Sequence, residues 1–249
     1  MAPGVELDAG VSIGPYAVIG AGVSLGAGTT VGTHAVVKGP ATIGRDNRIF
    51  QFASIGEDPQ DKKYRGEPTQ LAIGDRNTFR EFCTINRGTA QDQGITRIGD
   101  DNWIMAYVHV AHDCVVGNDV IFSNNTTLAG HVQVHDHVIC SGFSAVHQYC
   151  RLGAHSFLGG FAAVTRDVPP YVMVAGQPTA PHGVNSEGLK RRGFTADQVR
   201  NLKEAYRILY REQLQLAKAR DRLAVLAETQ PELRILVAFI DKSDRSLIR

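Results

Sequence analysis

Nine histidines are spread unevenly along this chain of 249 residues. His34 stands alone, seven lie between His109 and His155, and His182 follows. The densest run is Tyr107-Val108-His109-Val110-Ala111-His112-Asp113-Cys114. Imidazole titrates near neutrality, so it can take a proton from a hydroxyl at physiological pH. A carboxylate directly after it, Asp113, can stabilise the imidazolium so formed. Three neutral imidazoles can instead hold zinc in a tetrahedral site. Either chemistry needs several histidines in one place, which proximity in the chain alone does not supply. The sequence offers no Gly-x-Ser-x-Gly elbow, Walker loop or Cys-x-x-Cys pair as a competing centre.

The elements that position these residues follow from a period of six. Every sixth residue from Leu7 to Ile55 is aliphatic, the residue two places earlier is mostly small, and the next is often glycine. The phase returns at Ile73, Phe79 and Ile85, then shifts by one and runs from Ile98 to Val164, giving 24 hexads. Helices repeat every 3.6 residues and simple strands every 2, so neither explains the pattern. A triangular coil does: each hexad is one flat side, three hexads close one turn, and the aliphatic points inward. The glycine column is expected at the corners, where the backbone must bend or take positive φ. Stacking turns of three hexads brings His112, His131 and His147 to one edge, with Gly130 beside His112. The Gly130 N–H can then hold an oxyanion, since glycine permits close approach. All four cysteines (Cys83, Cys114, Cys140, Cys150) fall on inward columns and are expected in the core.

Two polar excursions, residues 57–70 and 87–95, interrupt the coils and are expected to reach a ligand or neighbour. After Val164 the hexads stop. Val168-Pro169-Pro170-Tyr171 is expected to end the coil and lead into a Gly- and Pro-rich linker. The β-helix is therefore assigned to residues 1–184 and a small α-helical domain to 185–249. In that domain Thr195 with Gln198 is a capping-box signal, a second helix is expected over 213–229, and Pro231 opens a third.

Apolar residues at 43% and charged residues at 20% describe an ordinary globular chain, and the net charge of +1 lacks the basic excess of a general nucleic-acid binder. No apolar run approaches the length needed to span a bilayer, so no transmembrane segment is expected. The start carries no export signal, and reduced cytoplasmic thiols are expected. Residues 1–185 hold 12 basic and 16 acidic side chains, and the tail holds 14 and 9.

The hexads resemble those of the hexapeptide-repeat acyltransferases, and that resemblance implies a left-handed parallel β-helix. The gamma-class carbonic anhydrases share the solenoid, which keeps a zinc hydratase open beside an acyltransferase and a non-enzymatic scaffold. Longer stretches are more selective. Gln51-Phe52-Ala53-Ser54-Ile55-Gly56-Glu57, Ala111-His112-Asp113-Cys114, Leu128-Ala129-Gly130-His131, Ala145-Val146-His147-Gln148 and Gly188-Leu189-Lys190-Arg191-Arg192-Gly193-Phe194 resemble the UDP-N-acetylglucosamine O-acyltransferase family. The resemblance implies transfer of a (R)-3-hydroxyacyl chain from acyl carrier protein to the sugar 3-hydroxyl, the first step of lipid A synthesis. It implies His112 as general base, Asp113 as its partner and Gly130 as oxyanion donor. Gln60, Asp61, Lys63, His109, His131, His147 and Gln148 match acyl-sugar-nucleotide contacts, and Asn185, Glu187 and Arg191 match uridine and phosphate contacts. Gly160 sits where the family gauges acyl length, so glycine there implies a longer chain. The resemblance further implies a cytoplasmic homotrimer with sites between subunits. It implies no metal and no cofactor beyond the carrier's phosphopantetheine, and the basic tail suits the acidic carrier protein. Two departures stand out. The chain begins about one coil short of the family's pattern, so a truncated or misassigned start is one expectation. Asn86 stands where the family has histidine, which leaves an N-acyltransferase acting on a 3-amino sugar as the alternative.

Overall fold

The computed structural model describes residues 1–243 and 246–249. The chain winds as a left-handed parallel β-helix followed by helices. Each of the 24 hexads forms a short strand, from Glu6–Leu7 to Ala163–Val164. They stack into three sheets that make the three faces of a prism. The register is the expected one: Val110 pairs with Leu128, and Leu128 with Val146. From Ile19 to Val164 every inward aliphatic of the sequence pattern is buried, and so are all four cysteines. Such a core is a stack of side chains rather than a layer. A large residue at each level meets the one above, and the small column leaves room at the corner. Three inward asparagines repair one edge. Asn77 N–H donates to Asn47 Oδ1 at 2.9 Å, Asn102 N–H to Asn77 Oδ1 at 2.9 Å, and Val120 N–H to Asn102 Oδ1 at 2.8 Å. This ladder satisfies backbone groups that the turns leave without a strand partner.

Apart from Gly56 (φ 79°), the glycine column does not serve the left-handed turns. Positive φ falls two residues later, on side chains such as His34 (56°) and Phe52 (62°), while Gly14 and Gly32 keep ordinary backbone angles. What demands glycine is proximity between coils. A Cβ on Gly32 would lie 2.6 Å from the backbone nitrogen of Gln51 in the next turn. The correction has a clear cause: a period reveals that a position repeats, but not whether space or torsion restricts it.

The prolines do not end the coil either. Val168 bridges to Leu152, and a strand at Val172–Ala175 pairs in parallel with Phe157–Leu158. That strand then turns back antiparallel to Ala180–Val184, so the expected linker is a hairpin capping the prism. Proline is tolerated here because the sheet ends at this level. Four α-helices follow among the described residues: α1 (Ser186–Arg191), α2 (Ala196–Tyr210), α3 (Leu216–Leu226) and α4 (Arg234–Asp241). Thr195 and Gln198 form the expected capping box of α2. Pro231 opens a single 3-10 turn that runs into α4. The short α1 was not expected, since six residues are too few to show a period. Leu189, Val199, Leu202, Leu223, Leu236 and Phe239 bury a second core of their own.

Candidate active site

The histidine edge is the corner between the third and first sheets, where Asp113 (φ 58°) and His131 (φ 64°) adopt the left-handed turn. Stacked turns bring His112 and His131 together with ring centroids 5.0 Å apart, edge to face. His112 Nδ1 lies 2.9 Å from Asp113 Oδ2. Asp113 is held in turn: it accepts from the Thr89 N–H at 2.9 Å and the Thr89 hydroxyl at 2.6 Å, while its own N–H donates to Thr96. Burial pushes the Asp113 carboxyl up, yet the hydrogen bonds from His112 and Thr89 outweigh it and leave the pKa below 3.8. The carboxylate is thus charged wherever an imidazole titrates. Since it can only accept, His112 Nδ1 carries the proton and Nε2 presents its lone pair.

His131 forms a second pair of the same kind, with Nδ1 2.7 Å from Asp92 Oδ2, and its ring stacks on Tyr149 at 4.3 Å. Asp92 belongs to one polar excursion and Asp61 and Lys63 to the other. Together with Thr89, Gln91, His131 and Tyr149 they line a cavity of about 270 Å³. Both excursions therefore reach the histidine edge. Thr89, Gln91, Asp92 and Tyr149 escaped sequence reasoning. They lie outside the hexad register or at its corners, where no period marks them.

Gly130 sits against His112. A Cβ there would lie 2.5 Å from Cε1 and 2.8 Å from Nε2 of the ring. Among the described residues, no backbone carbonyl accepts from the Gly130 N–H. A free donor beside the unprotonated imidazole nitrogen is what an oxyanion site requires.

The other candidates are placed less uniformly. His109, on the adjoining strand, has Nδ1 2.7 Å from the Thr84 hydroxyl, and burial followed by the nearby His112 lowers its pKa. His147 lies outside the cluster; its Nδ1 faces the Gln148 carbonyl at 3.2 Å. Gln60 and Lys63 are exposed on the long excursion, and Asp61 accepts from the Lys63 N–H. Asn86 is only 2% exposed and does not line the cavity. Its amide donates to the Asp58 carbonyl at 2.7 Å, and Arg87 beside it pairs with Asp58 and the Gly56 carbonyl, so the two pin the base of the long excursion. Gly160 is exposed, and a Cβ there would meet only the Gly142 carbonyl at 3.5 Å. Asn185 is a buried cap for α1, accepting from Gly188 N–H and donating to the His155 carbonyl, whereas Glu187 and Arg191 are exposed, four residues apart on that helix.

As a metal centre the edge is incomplete. Donor atoms of His112, Asp113 and His131 lie within 4.8 Å of one another, but the expected third imidazole, His147, is not among them. Asp113 is already engaged by Thr89 and His112.

The parallel coil of hexapeptides thus carries a carboxylate-paired histidine on one edge. Residues 95–130 match the family model described as bacterial transferase hexapeptide (six repeats), and residues 167–248 match the second domain of UDP-N-acetylglucosamine O-acyltransferase. The acyl-[acyl-carrier-protein]--UDP-N-acetylglucosamine O-acyltransferase of Herminiimonas arsenicoxydans is 59% identical, covering 99% of this chain and 96% of its own. The protein of the same name from Thiobacillus denitrificans is also 59% identical, over 100% and 96%. The solved UDP-N-acetylglucosamine acyltransferase of Francisella novicida superposes with a TM-score of 0.98 at 42% identity, covering 100% of this chain and 91% of that one. This chain belongs to the UDP-N-acetylglucosamine O-acyltransferase family.

Proposed function

We propose that the His112 edge carries out the family's reaction, the first step of lipid A synthesis: transfer of a (R)-3-hydroxyacyl chain from acyl carrier protein to the 3-hydroxyl of UDP-N-acetylglucosamine. One observation carries the reading: Asp113 fixes the His112 tautomer, leaving Nε2 free beside the Gly130 N–H. His112 Nε2 takes the proton of the sugar hydroxyl, and the oxygen attacks the thioester carbonyl. Gly130 N–H stabilises the tetrahedral oxyanion. The carbon–sulfur bond then breaks, and the imidazolium returns its proton to the departing phosphopantetheine thiol. No metal or bound cofactor enters these steps.

The remaining assignments supplement this core. Lys63, Asp61, Gln60, His131, His109, His147 and Gln148 surround the acceptor and the acyl chain, and Glu187 and Arg191 take the uridine diphosphate. The helix α1 joins the corner between the first and second sheets, while His112 lies between the third and first. Residues on different edges of one prism can share a ligand when a neighbouring prism brings its own edge alongside. That supports a homotrimer with sites between subunits, and the basic tail suits an acidic carrier protein. A cytoplasmic location belongs to the same proposal. No described helix is long and apolar enough to cross a membrane.

His112→Ala tests the assignment. Loss of the general base should lower turnover by about 10²–10⁴-fold while light scattering still reports the trimer. Near-normal ester formation from acyl carrier protein and sugar nucleotide would overturn it. Retained activity after chelation, with no stoichiometric metal, is the matching expectation for the metal-free mechanism.

A further inference from the structure

Three histidines of the dense cluster, His135, His137 and His155, take no part in the chemistry above. Two of them occupy the corner between the first and second sheets. His137 stacks on His155 at 4.6 Å, and His155 on Tyr171 at 5.6 Å, forming a ladder up that edge. The segment carrying Glu187 and Arg191 is moored to this ladder at both ends. At its start, Asn185 donates to the His155 carbonyl. At its end, Phe194 packs edge-on against His155 at 5.2 Å, and Arg192, the C-cap of α1, reaches His137.

The Arg192 contact has an unusual polarity. Arg192 Nη1 lies 2.6 Å from His137 Nδ1, and its Nη2 donates to the Asp119 carbonyl at 3.3 Å. Guanidinium only donates, so His137 Nδ1 must be bare and the imidazole neutral. Within reach of the same nitrogen stands a carboxylate, Asp119 Oδ2, at 3.5 Å. A proton on Nδ1 would turn that atom into a donor. It would then bond Asp119 and repel Arg192, so one atom has two partners selected by its protonation state.

We propose that His137 is a positioning residue for the sugar nucleotide, holding Arg192 and with it α1 in the binding geometry when neutral, and releasing them when protonated. The inference rests on the reading that Glu187 and Arg191 contact the nucleotide. The groups facing His137 are Arg192 from the tail, Asp119 from the coil below, the adjacent Asp136, and His155 from the coil above. Burial first, then Arg192, lowers the His137 pKa, against the pull of Asp119 and Asp136. Release therefore sets in as pH falls below the ordinary imidazole value of about 6.5. Side-chain exposure of 29% at His137 leaves the ring open to solvent protons.

The test is the KM for UDP-N-acetylglucosamine in the full-length trimer between pH 5.5 and 8, at saturating acyl donor. In the parent protein KM should rise about tenfold towards acid pH, the scale of one charge-assisted hydrogen bond lost, beyond any change in kcat. His137→Gln, which offers an acceptor that does not titrate, should keep the neutral-pH KM and flatten the profile. Arg192→Ala should raise KM at every pH, with kcat little changed. The same acid rise in His137→Gln as in the parent would overturn the proposal. So would an unchanged KM in Arg192→Ala while Arg191→Ala raises it. An unchanged KM in Arg191→Ala would instead remove the underlying reading of α1, and the proposal with it.

Discussion

Gly130→Ala isolates the placement of the proposed general base, His112, from every other feature of the site. Gly130 has no positive φ, so alanine is allowed by its backbone. The substitution also keeps the N–H proposed as oxyanion donor. The only change is one methyl group, whose carbon would start 2.5 Å from Cε1 and 2.8 Å from Nε2 of His112. Ordinary carbon contacts lie at about 3.5–4.0 Å, so the ring must retreat by about 1 Å. His112 is only partly enclosed, with 15% side-chain exposure, so it can swing away without disturbing the core. The stability loss should stay near the low end of the ~1–3 kcal/mol typical of overpacking. Catalysis is less forgiving. A misplacement of about 1 Å can cost about 10²-fold, and complete loss of the base up to about 10⁴-fold. That is about 2.7 kcal/mol or more in activation free energy. Steady-state thiol release with saturating substrates measures it, alongside a thermal melt. A variant that melts like the parent and turns over normally would show that His112 is not the base, or that the methyl is accommodated elsewhere.

Gly160→Met should shift preference towards shorter 3-hydroxyacyl donors without unfolding the protein, because a Cβ there meets only the Gly142 carbonyl at 3.5 Å; an unchanged profile across a donor series would remove the acyl-gauge role. Asn86→Ala should slow acylation of the 3-hydroxy and 3-amino acceptors equally in direct competition, since it unties Asp58 rather than touching the cavity; a changed acceptor ratio would restore a discriminating role to Asn86. His155 is pushed down to about 4 by burial first and then by His137 and Arg192, and its Nδ1 is buried without a partner among the described residues. The unfolded chain takes up that proton near pH 6.5 and the folded one near 4, so stability is complete above 6.5 and falls between those values. His155→Phe should narrow the gap in melting temperature between pH 7.5 and 5, and an undiminished gap would place the acid lability on other groups.

The period of six needed no structure to be read. A residue every sixth position that must be aliphatic fixes the side of the coil it occupies, and three hexads per turn then fix which residues are neighbours across turns. That arithmetic reached the meeting of His112 and His131 on one edge, the place of Gly130 beside the ring, and the burial of the four cysteines. It worked because a solenoid converts sequence spacing directly into spatial spacing. Where the repeat lapses, the arithmetic has nothing to count. The shorter excursion folds back to bond Asp113 through Thr89 and His131 through Asp92, and only the folded chain shows those bonds. Torsion was equally hidden: the positive φ angles fall on His34 and Phe52 rather than on Gly14 and Gly32, because a repeat does not separate a crowded position from a twisted one. Asn86 reads as a substrate contact in the sequence, and only the fold shows that it is buried with its amide N–H donated to the Asp58 carbonyl. The clasp of Arg192 on His137 joins residues 55 apart that share no repeat, and tertiary packing alone brings them together.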